Sequence, residues 1–160
     1  WATGSVGHPW FTSAGLPTDE RDFVRVLPSL RPPGFPRIFA AGDCATVMGH
    51  ESARKVGVHA VKQGPVLRDN LAAAIQGIQS GKPSLSWDLT PFRPYAMAPL
   101  ILSTGTREGI WTADDIWMRG RPLLRLKHAI DRRWIRPYNG AFRNSSMRRI
   151  ADAAAAARTA

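Results

Sequence analysis

Gly42 and Asp43 form the stretch whose residue types best suit ligand chemistry, and they follow the apolar run Arg37–Ala41. An apolar run that ends in Gly-Asp and continues into small residues predicts a buried strand with a carboxylate at its carboxyl end. In an open α/β sheet, ligands bind at that end of the strands. Gly42 lets the backbone pass close to a ligand, and Asp43 can accept hydrogen bonds from ribose or polyol hydroxyls. The same pattern also fits an ordinary turn, in which Asp bonds its own downstream backbone.

Two further elements flank this stretch. Upstream, Thr3-Gly4 stands where a second strand would end. Downstream, the residues from Glu51 to Gly77 predict one long helix, because their apolar positions recur with a helical period. Pro65 inside this pattern favours a kink.

The segment between the two predicted strands has its own pattern. Phe23–Val26 alternates in polarity and predicts a short strand. Leu30–Pro36 is rich in proline and predicts an irregular surface loop.

Together these elements resemble the carboxyl-terminal part of the pyridine nucleotide-disulfide oxidoreductases, which are flavoproteins with two dinucleotide-binding domains. The nearest resemblance is to type II NADH dehydrogenases and sulfide:quinone oxidoreductases, and to the flavoprotein domain fused to some selenide, water dikinases. It covers the chain from Trp1 to about Tyr138. Ala2-Thr3-Gly4 matches the family's Ala-Thr-Gly element, and Phe39–Asp43 matches its second flavin motif.

The resemblance implies an FAD site. Asp43, preceded by Gly42, would bond the ribityl chain of FAD, with Thr3-Gly4 as its neighbour in space. Gly57-Val58-His59 falls where the family's helix amino terminus approaches the pyrimidine edge of the flavin. Free N–H groups and a partial positive charge at a helix start suit the negative charge of a reduced flavin. A packed helix without a ligand is the alternative interpretation.

Two residues are candidates for the electron-acceptor side of this site. His59 can donate a proton to a reduced acceptor such as a quinone, or it can be a partly buried structural histidine. Lys62 can line an acceptor pocket or belong to a solvated helix face. The dehydrogenase branch carries glutamines at the positions that align with Val58 and Lys62, so the resemblance leaves the acceptor unidentified.

The resemblance also implies further parts of the protein. No Gly-x-Gly-x-x-Gly precedes Thr3-Gly4, so we expect the ADP-binding βαβ unit and the NAD(P)H domain to precede this sequence in a longer chain. The whole protein would pass electrons from NAD(P)H through FAD to a small-molecule acceptor. We expect the isolated chain to be inactive and to self-associate through unpaired strand edges.

The composition is that of a globular protein, because 44% of the residues are hydrophobic and 21% are charged. Cys44 is the only cysteine, which excludes an internal disulfide and a Cys-x-x-Cys redox pair. The sequence suggests no metal site. It contains no signal peptide and no membrane-length apolar run, which favours a cytoplasmic location, with peripheral attachment to the inner face of the membrane left open.

The net charge of +10 points to an anionic partner. Basic residues concentrate between Arg119 and Arg149, where Asp131 is the only acid. We predict a basic amphipathic helix over Trp117–Tyr138. Its apolar residues interleave with the cations; they are Leu123, Leu124, Leu126, Ile130, Trp134 and Ile135. Docking on an anionic membrane fits this pattern best, a solvated surface is the second interpretation, and nucleic-acid binding fits least.

We therefore predict an α/β protein with three parts. Residues 1–79 would be the carboxyl-terminal portion of a Rossmann-like FAD domain, residues 80–150 a small α+β unit, and residues 151–160 an Ala-rich tail. Strands are predicted at Leu85–Leu89 and Leu100–Thr104, with a hairpin turn at Gly105–Gly109. The competing hypothesis is a non-enzymatic module that docks on a membrane or nucleic acid through the basic segment.

Overall fold

The computed structural model describes residues 4–95, 100–105, 107–113 and 115–136. The chain divides into two compact units, Trp1–Ala96 and Met97–Ala160. The first contains a parallel sheet and the second an antiparallel sheet, so the predicted α/β class is confirmed as a mixture of helices with both kinds of sheet. The division falls later than the expected boundary after residue 79, because Phe92 belongs to the core of the first unit.

The first unit is built on two short parallel strands and one long helix. Its elements are α1 (Trp10–Ser13), β1 (Val24–Val26), β2 (Ala45–Val47) and α2 (Gly57–Gln79), with 3₁₀ turns at Gly42–Cys44 and Ser84–Ser86. Val24 lies opposite Ala45, and Val26 opposite Val47.

The core of the first unit combines strand residues with loop residues. Val24 and Val26 point inwards from β1, while Arg25 between them is half-exposed. The predicted strand is therefore confirmed, but it begins at Val24 and not at Phe23. The loop after β1 is irregular, as predicted, but its expected surface position is wrong for two residues. Leu30 and Pro32 are fully buried, because this loop closes over the strands.

The predicted strand at Arg37–Ala41 is wrong. These residues form no strand, and β2 begins only at Ala45, after the Gly-Asp pair. The N–H of Ala40 donates to the carbonyl of Leu30 at 2.9 Å, which is a loop contact and not part of a strand ladder. The apolar character of the run is explained by packing, because Phe39, Ala40 and Ala41 lie against the core.

Helix α2 begins at Gly57, so the predicted start at Glu51 is wrong and the segment before Gly57 forms turns and irregular backbone. The helix runs continuously through Pro65 to Gln79. Its buried face carries polar residues as well as small ones: His59, Gln63, Asn70, Ala74 and Gly77. Buried polar groups require hydrogen-bond partners, so this face connects α2 to the rest of the unit through specific bonds.

The segment after α2 is not a strand, so the prediction for Leu85–Leu89 is wrong. A 3₁₀ turn covers Ser84–Ser86, and Trp87 packs over α2 at Gly77. A Cβ at Gly77 would lie 2.2 Å from the indole nitrogen of Trp87, so the glycine makes this contact possible. The same nitrogen donates to the carbonyl of Lys82 at 3.2 Å.

The described residues of the second unit form a three-stranded antiparallel sheet and one helix. These elements are β3 (Leu100–Ser103), β4 (Gly109–Ala113), β5 (Ile116–Gly120) and α3 (Arg121–Ile135), and the sheet order is β3-β4-β5. The predicted strand at Leu100 is confirmed, and so is the hairpin into Ile110.

Helix α3 lies against β4. A Cβ at Gly109 would meet the backbone nitrogen of Leu124 at 2.9 Å, so this glycine permits the close approach of helix and strand. The predicted helix begins four residues too early, because Trp117–Gly120 belong to β5.

The apolar residues of α3 divide between two faces. Leu123, Leu124 and Trp134, which we expected on a membrane-docking face, are half-buried. Leu126, Ile130 and Ile135 are exposed. In the described part of the chain, no helix has the length and apolar character needed to cross a bilayer. Trp1, Ala2 and Thr3 lie outside the described residues, as do Tyr138 and the Ala-rich tail.

Candidate functional site

The Gly42–Cys44 turn is held against the first turns of α2. Gly42 has a φ of +77°, in the left-handed region that favours glycine. Its N–H donates to the side-chain oxygen of Gln63, which is buried on α2. A Cβ at Gly42 would lie 3.8 Å from the Cβ of Ala60. The turn is therefore fixed on the helix, and the exposed side chain of Asp43 stands beside it.

The amino terminus of α2 offers free donors next to this turn. Val56, the residue before the helix, is extended, and among the described residues no side chain caps the helix start. The first turn contains no acidic residue, and a Cβ at Gly57 would meet nothing within 4 Å. A helix start of this kind presents N–H groups and a partial positive charge. Gly57 is exposed, so the helix start is accessible to a ligand.

A small cleft opens between the Gly-Asp turn and the start of α2. Gly42, Asp43 and His59 line it together with residues that the sequence did not suggest, among them Lys55 and Phe92. Its volume of about 20 Å³ is sufficient for one water molecule. The structure thus brings three of the predicted site residues to one cleft, which by itself admits only a water-sized group.

His59 lines this cleft with an imidazole nitrogen that has no partner among the described residues. His59 is only 6% exposed, and its Nδ1 lies 2.9 Å from the carbonyl oxygen of Arg54. A carbonyl only accepts, so Nδ1 carries a hydrogen, and the neutral tautomer with this arrangement has its acceptor at Nε2. Nε2 is buried without a hydrogen bond. A water molecule or a ligand group that donates a hydrogen bond would satisfy it.

A partly buried polar network adjoins the cleft and was not predicted. One carboxylate oxygen of Asp19 accepts from the hydroxyl of Thr46 at 2.6 Å, and the other accepts from the N–H groups of Arg21 and Phe23 at 2.9 and 3.0 Å. The ammonium of Lys55 donates to Thr46 at 2.9 Å and to the carbonyl of Ala45. It also lies 4.3 Å from the centroid of the Phe23 ring.

The charges of this network are tuned by burial and by hydrogen bonds. Burial lowers the pKa of the Lys55 ammonium, and the carboxylates of Asp19 and Asp43 offset only part of that effect. For Asp19, burial raises the pKa, but the hydrogen bonds from Thr46, Arg21 and Phe23 and the charge of Lys55 outweigh it. The net result is an Asp19 pKa below its ordinary value of 3.8.

The lowered pKa of Asp19 predicts a pH dependence of stability. Because the folded carboxyl has the lower pKa, its stabilising contribution is present above the unfolded pKa and is lost as pH falls through the folded value. Asp19→Asn should therefore destabilise the chain at about pH 7, and the difference from wild type should shrink below about pH 4. Urea unfolding midpoints across this range measure it, with Asp88→Asn, an exposed acid, as the control. A deficit that stays constant with pH would contradict the assignment.

The remaining predicted residues occupy different positions. Gly4 lies in irregular backbone, where an added Cβ would lie 3.4 Å from the guanidinium of Arg21, and Thr3 is outside the described residues. Gly57 is exposed, and Val58 and Lys62 are half-buried on α2. Cys44 is a half-buried free thiol that donates to the carbonyl of Ala41 at 3.1 Å.

A comparison of the sequence with protein-family models finds no match, and a comparison with curated proteins finds no significant match. Among the residues that the structure describes, no group of three or more His, Cys, Asp or Glu side chains could hold a metal ion. The functional assignment therefore depends on the Gly-Asp turn, the start of α2 and the resemblance that these elements carry.

Proposed function

We propose that this chain is the carboxyl-terminal part of an FAD-dependent NAD(P)H oxidoreductase of the pyridine nucleotide-disulfide oxidoreductase type. The observation that carries the proposal is the packing of the Gly42–Cys44 turn on α2, with Gly42 beside Ala60 and bonded to Gln63. This packing places an exposed carboxylate next to an uncapped helix start. A Rossmann-like FAD domain would be completed by other parts of the full-length protein.

The polar groups present suit FAD in kind. Asp43 would accept a hydrogen bond from a ribityl hydroxyl, and the N–H groups at Gly57 and Val58 would face the pyrimidine edge. FAD, when bound, supplies two-electron transfer between a nicotinamide and the acceptor. Since the cleft has room for about one water molecule, this chain contributes an open polar surface to the cofactor and not an enclosing pocket.

His59 and Lys62 are the residues proposed for the acceptor side. In the tautomer fixed by Arg54, Nε2 of His59 accepts a hydrogen bond from a water molecule or from a donor group of a ligand. Its burial excludes bulk water, so a proton held at Nε2 would exchange only through the cleft. These properties support a proton-relay role for His59 in the reduction of a small-molecule acceptor.

Flavin analysis of the full-length protein tests the proposal. We expect about one FAD per chain, a yellow protein, and oxidation of NADH or NADPH with an artificial electron acceptor such as ferricyanide. The competing hypothesis, a non-enzymatic docking module, predicts neither flavin nor nicotinamide oxidation. A colourless full-length protein that leaves NADH and NADPH unchanged would therefore overturn the proposal.

A further inference from the structure

The second unit contains a group of basic side chains that the proposed flavin chemistry does not use. Arg107, Arg121, Arg125 and His128 line one open cleft, together with Leu124. Arg107 comes from the connection between β3 and β4, and the other residues come from the first two turns of α3. Positions 121, 125 and 128 share one helix face, because residues three and four apart are neighbours on a helix. Basic side chains from the β3–β4 connection and from α3 therefore line the same cleft.

Two of the acids described in this unit pair with basic residues that do not line the cleft. Glu108 forms an ion pair with Arg119 at 2.7 Å, and Asp131 forms one with Lys127 at 2.6 Å. None of the described residues that line the cleft is acidic. Three guanidinium groups around one space repel each other, and a bound anion would relieve that repulsion.

Arg107 adopts a backbone conformation that arginine rarely takes. Its φ of 60° lies in the left-handed region, where a side chain is strained and glycine is favoured. The surrounding hairpin fixes this conformation, because the N–H and hydroxyl of Thr104 both donate to the carbonyl of Glu108, at 3.2 and 3.1 Å. Strained residues that the surrounding structure holds in place are common at ligand sites.

We propose that this cleft binds a phosphate monoester. Guanidinium groups present planar pairs of donors that match phosphate oxygens, and multiple arginines favour an anion with more than one charge. Leu124 supplies an apolar wall for the carbon atoms of the ester. The volume of about 280 Å³ lies just below the range of roughly 300 to 1,000 Å³ for sites that take drug-sized ligands. The ligand is therefore a small phosphorylated molecule or the phosphomonoester headgroup of a lipid.

Titration calorimetry with glycerol 3-phosphate tests the site on the 160-residue chain and on the full-length protein. We expect saturable binding with a stoichiometry of about one, weakened about tenfold by Arg125→Gln, because a charge-assisted hydrogen bond is lost. Arg107→Gly should weaken binding to a similar extent without lowering the thermal midpoint, since glycine suits the φ of 60°.

Arg133→Gln is the matched control. It removes one positive charge from an exposed position of the same helix that is not among the lining residues of the cleft. We expect this variant to bind like wild type. Equal losses in Arg125→Gln and Arg133→Gln would show a diffuse charge effect and overturn the proposal.

Vesicles distinguish the two sources of the phosphate group. Phosphatidic acid carries a phosphomonoester, whereas phosphatidylglycerol carries only a phosphodiester, and the two lipids can be compared at equal surface charge. Preference for phosphatidic acid that Arg125→Gln abolishes would identify a lipid headgroup as the ligand. Saturable binding of glycerol 3-phosphate without this preference would identify a free phosphorylated molecule. Equal binding to both vesicles without saturable soluble binding would refute the phosphomonoester site and leave α3 as a general anionic-membrane surface.

Discussion

Replacement of Asp43 by alanine in the full-length protein is expected to weaken FAD binding about ten- to a hundredfold. The side chain is exposed beside the start of α2 and would accept a hydrogen bond from a ribityl hydroxyl. A hydrogen bond to a charged acceptor contributes roughly 1.5 to 3 kcal/mol, which corresponds to that range of affinity. The fold should be unaffected, because Asp43 is solvent-exposed.

Equilibrium dialysis against FAD measures this effect, with Asp88→Ala as the matched control. Asp88 is an exposed carboxylate of the same unit that is not among the residues lining the cleft. We expect Asp88→Ala to retain FAD like wild type, and Asp43→Ala to lose it with an unchanged unfolding midpoint. Equal FAD affinity in the two variants would remove Asp43 from the site, even if the protein is a flavoprotein.

The failed strand prediction at Arg37–Ala41 has a physical reason. Apolar composition indicates burial, and Phe39, Ala40 and Ala41 do pack against the core. A strand, however, also needs a hydrogen-bonded neighbour, and the composition of the run does not show whether one is present. Here Ala40 bonds to the loop residue Leu30 instead. The pattern therefore predicted the burial of the run but not its backbone.

The helix starts were also predicted too early, although one of them had a visible signal. Pro122 stands at the beginning of α3, and proline is favoured at the first turn of a helix. Pro122, with Gly120 shortly before it, indicates that helix α3 starts after Trp117. The start of α2 at Gly57 carries no such mark, since Val56 has no capping side chain.

The candidate site was accessible to sequence reasoning only in part. Gly42, Asp43 and His59 follow from the local motif and the helix pattern, and they line one cleft. Asp19 lies 27 residues before Thr46 and meets it because β1 pairs with β2, where Thr46 stands opposite Arg25, while Lys55 lies nine residues after Thr46. No local spacing reveals such a network. Asn70 was not predicted either, because its hydrogen-bond partners, Ser29 and Thr90, lie far from it in the sequence.

Asn70→Ala is expected to destabilise the first unit by about 3 kcal/mol or more. Its side chain is completely buried in α2, and its amide nitrogen donates to the carbonyls of Ser29 and Thr90 at 2.8 and 2.9 Å. Its oxygen accepts from the N–H of Thr90 at 2.7 Å. Alanine would remove these three hydrogen bonds, each of which contributes about 0.5 to 1.5 kcal/mol, together with the packing of a completely buried side chain.

The same substitution should also affect the cleft beside the Gly-Asp turn. Thr90 lies two residues before Phe92, which packs in the core and lines this cleft together with His59. The Phe92 ring meets the His59 ring edge-on, with centroids 6.4 Å apart. Without Asn70, the segment around Thr90 loses its attachment to α2, so we expect faster hydrogen exchange at the Phe92 amide, which bonds to the carbonyl of Pro28 at 2.8 Å.

Urea unfolding measures the loss of stability, and hydrogen exchange measures the effect at Phe92. The control is Gln76→Ala, because Gln76 is an exposed residue of α2. If Asn70→Ala unfolds at the same urea concentration as Gln76→Ala, the bonds of Asn70 do not hold α2 to this segment.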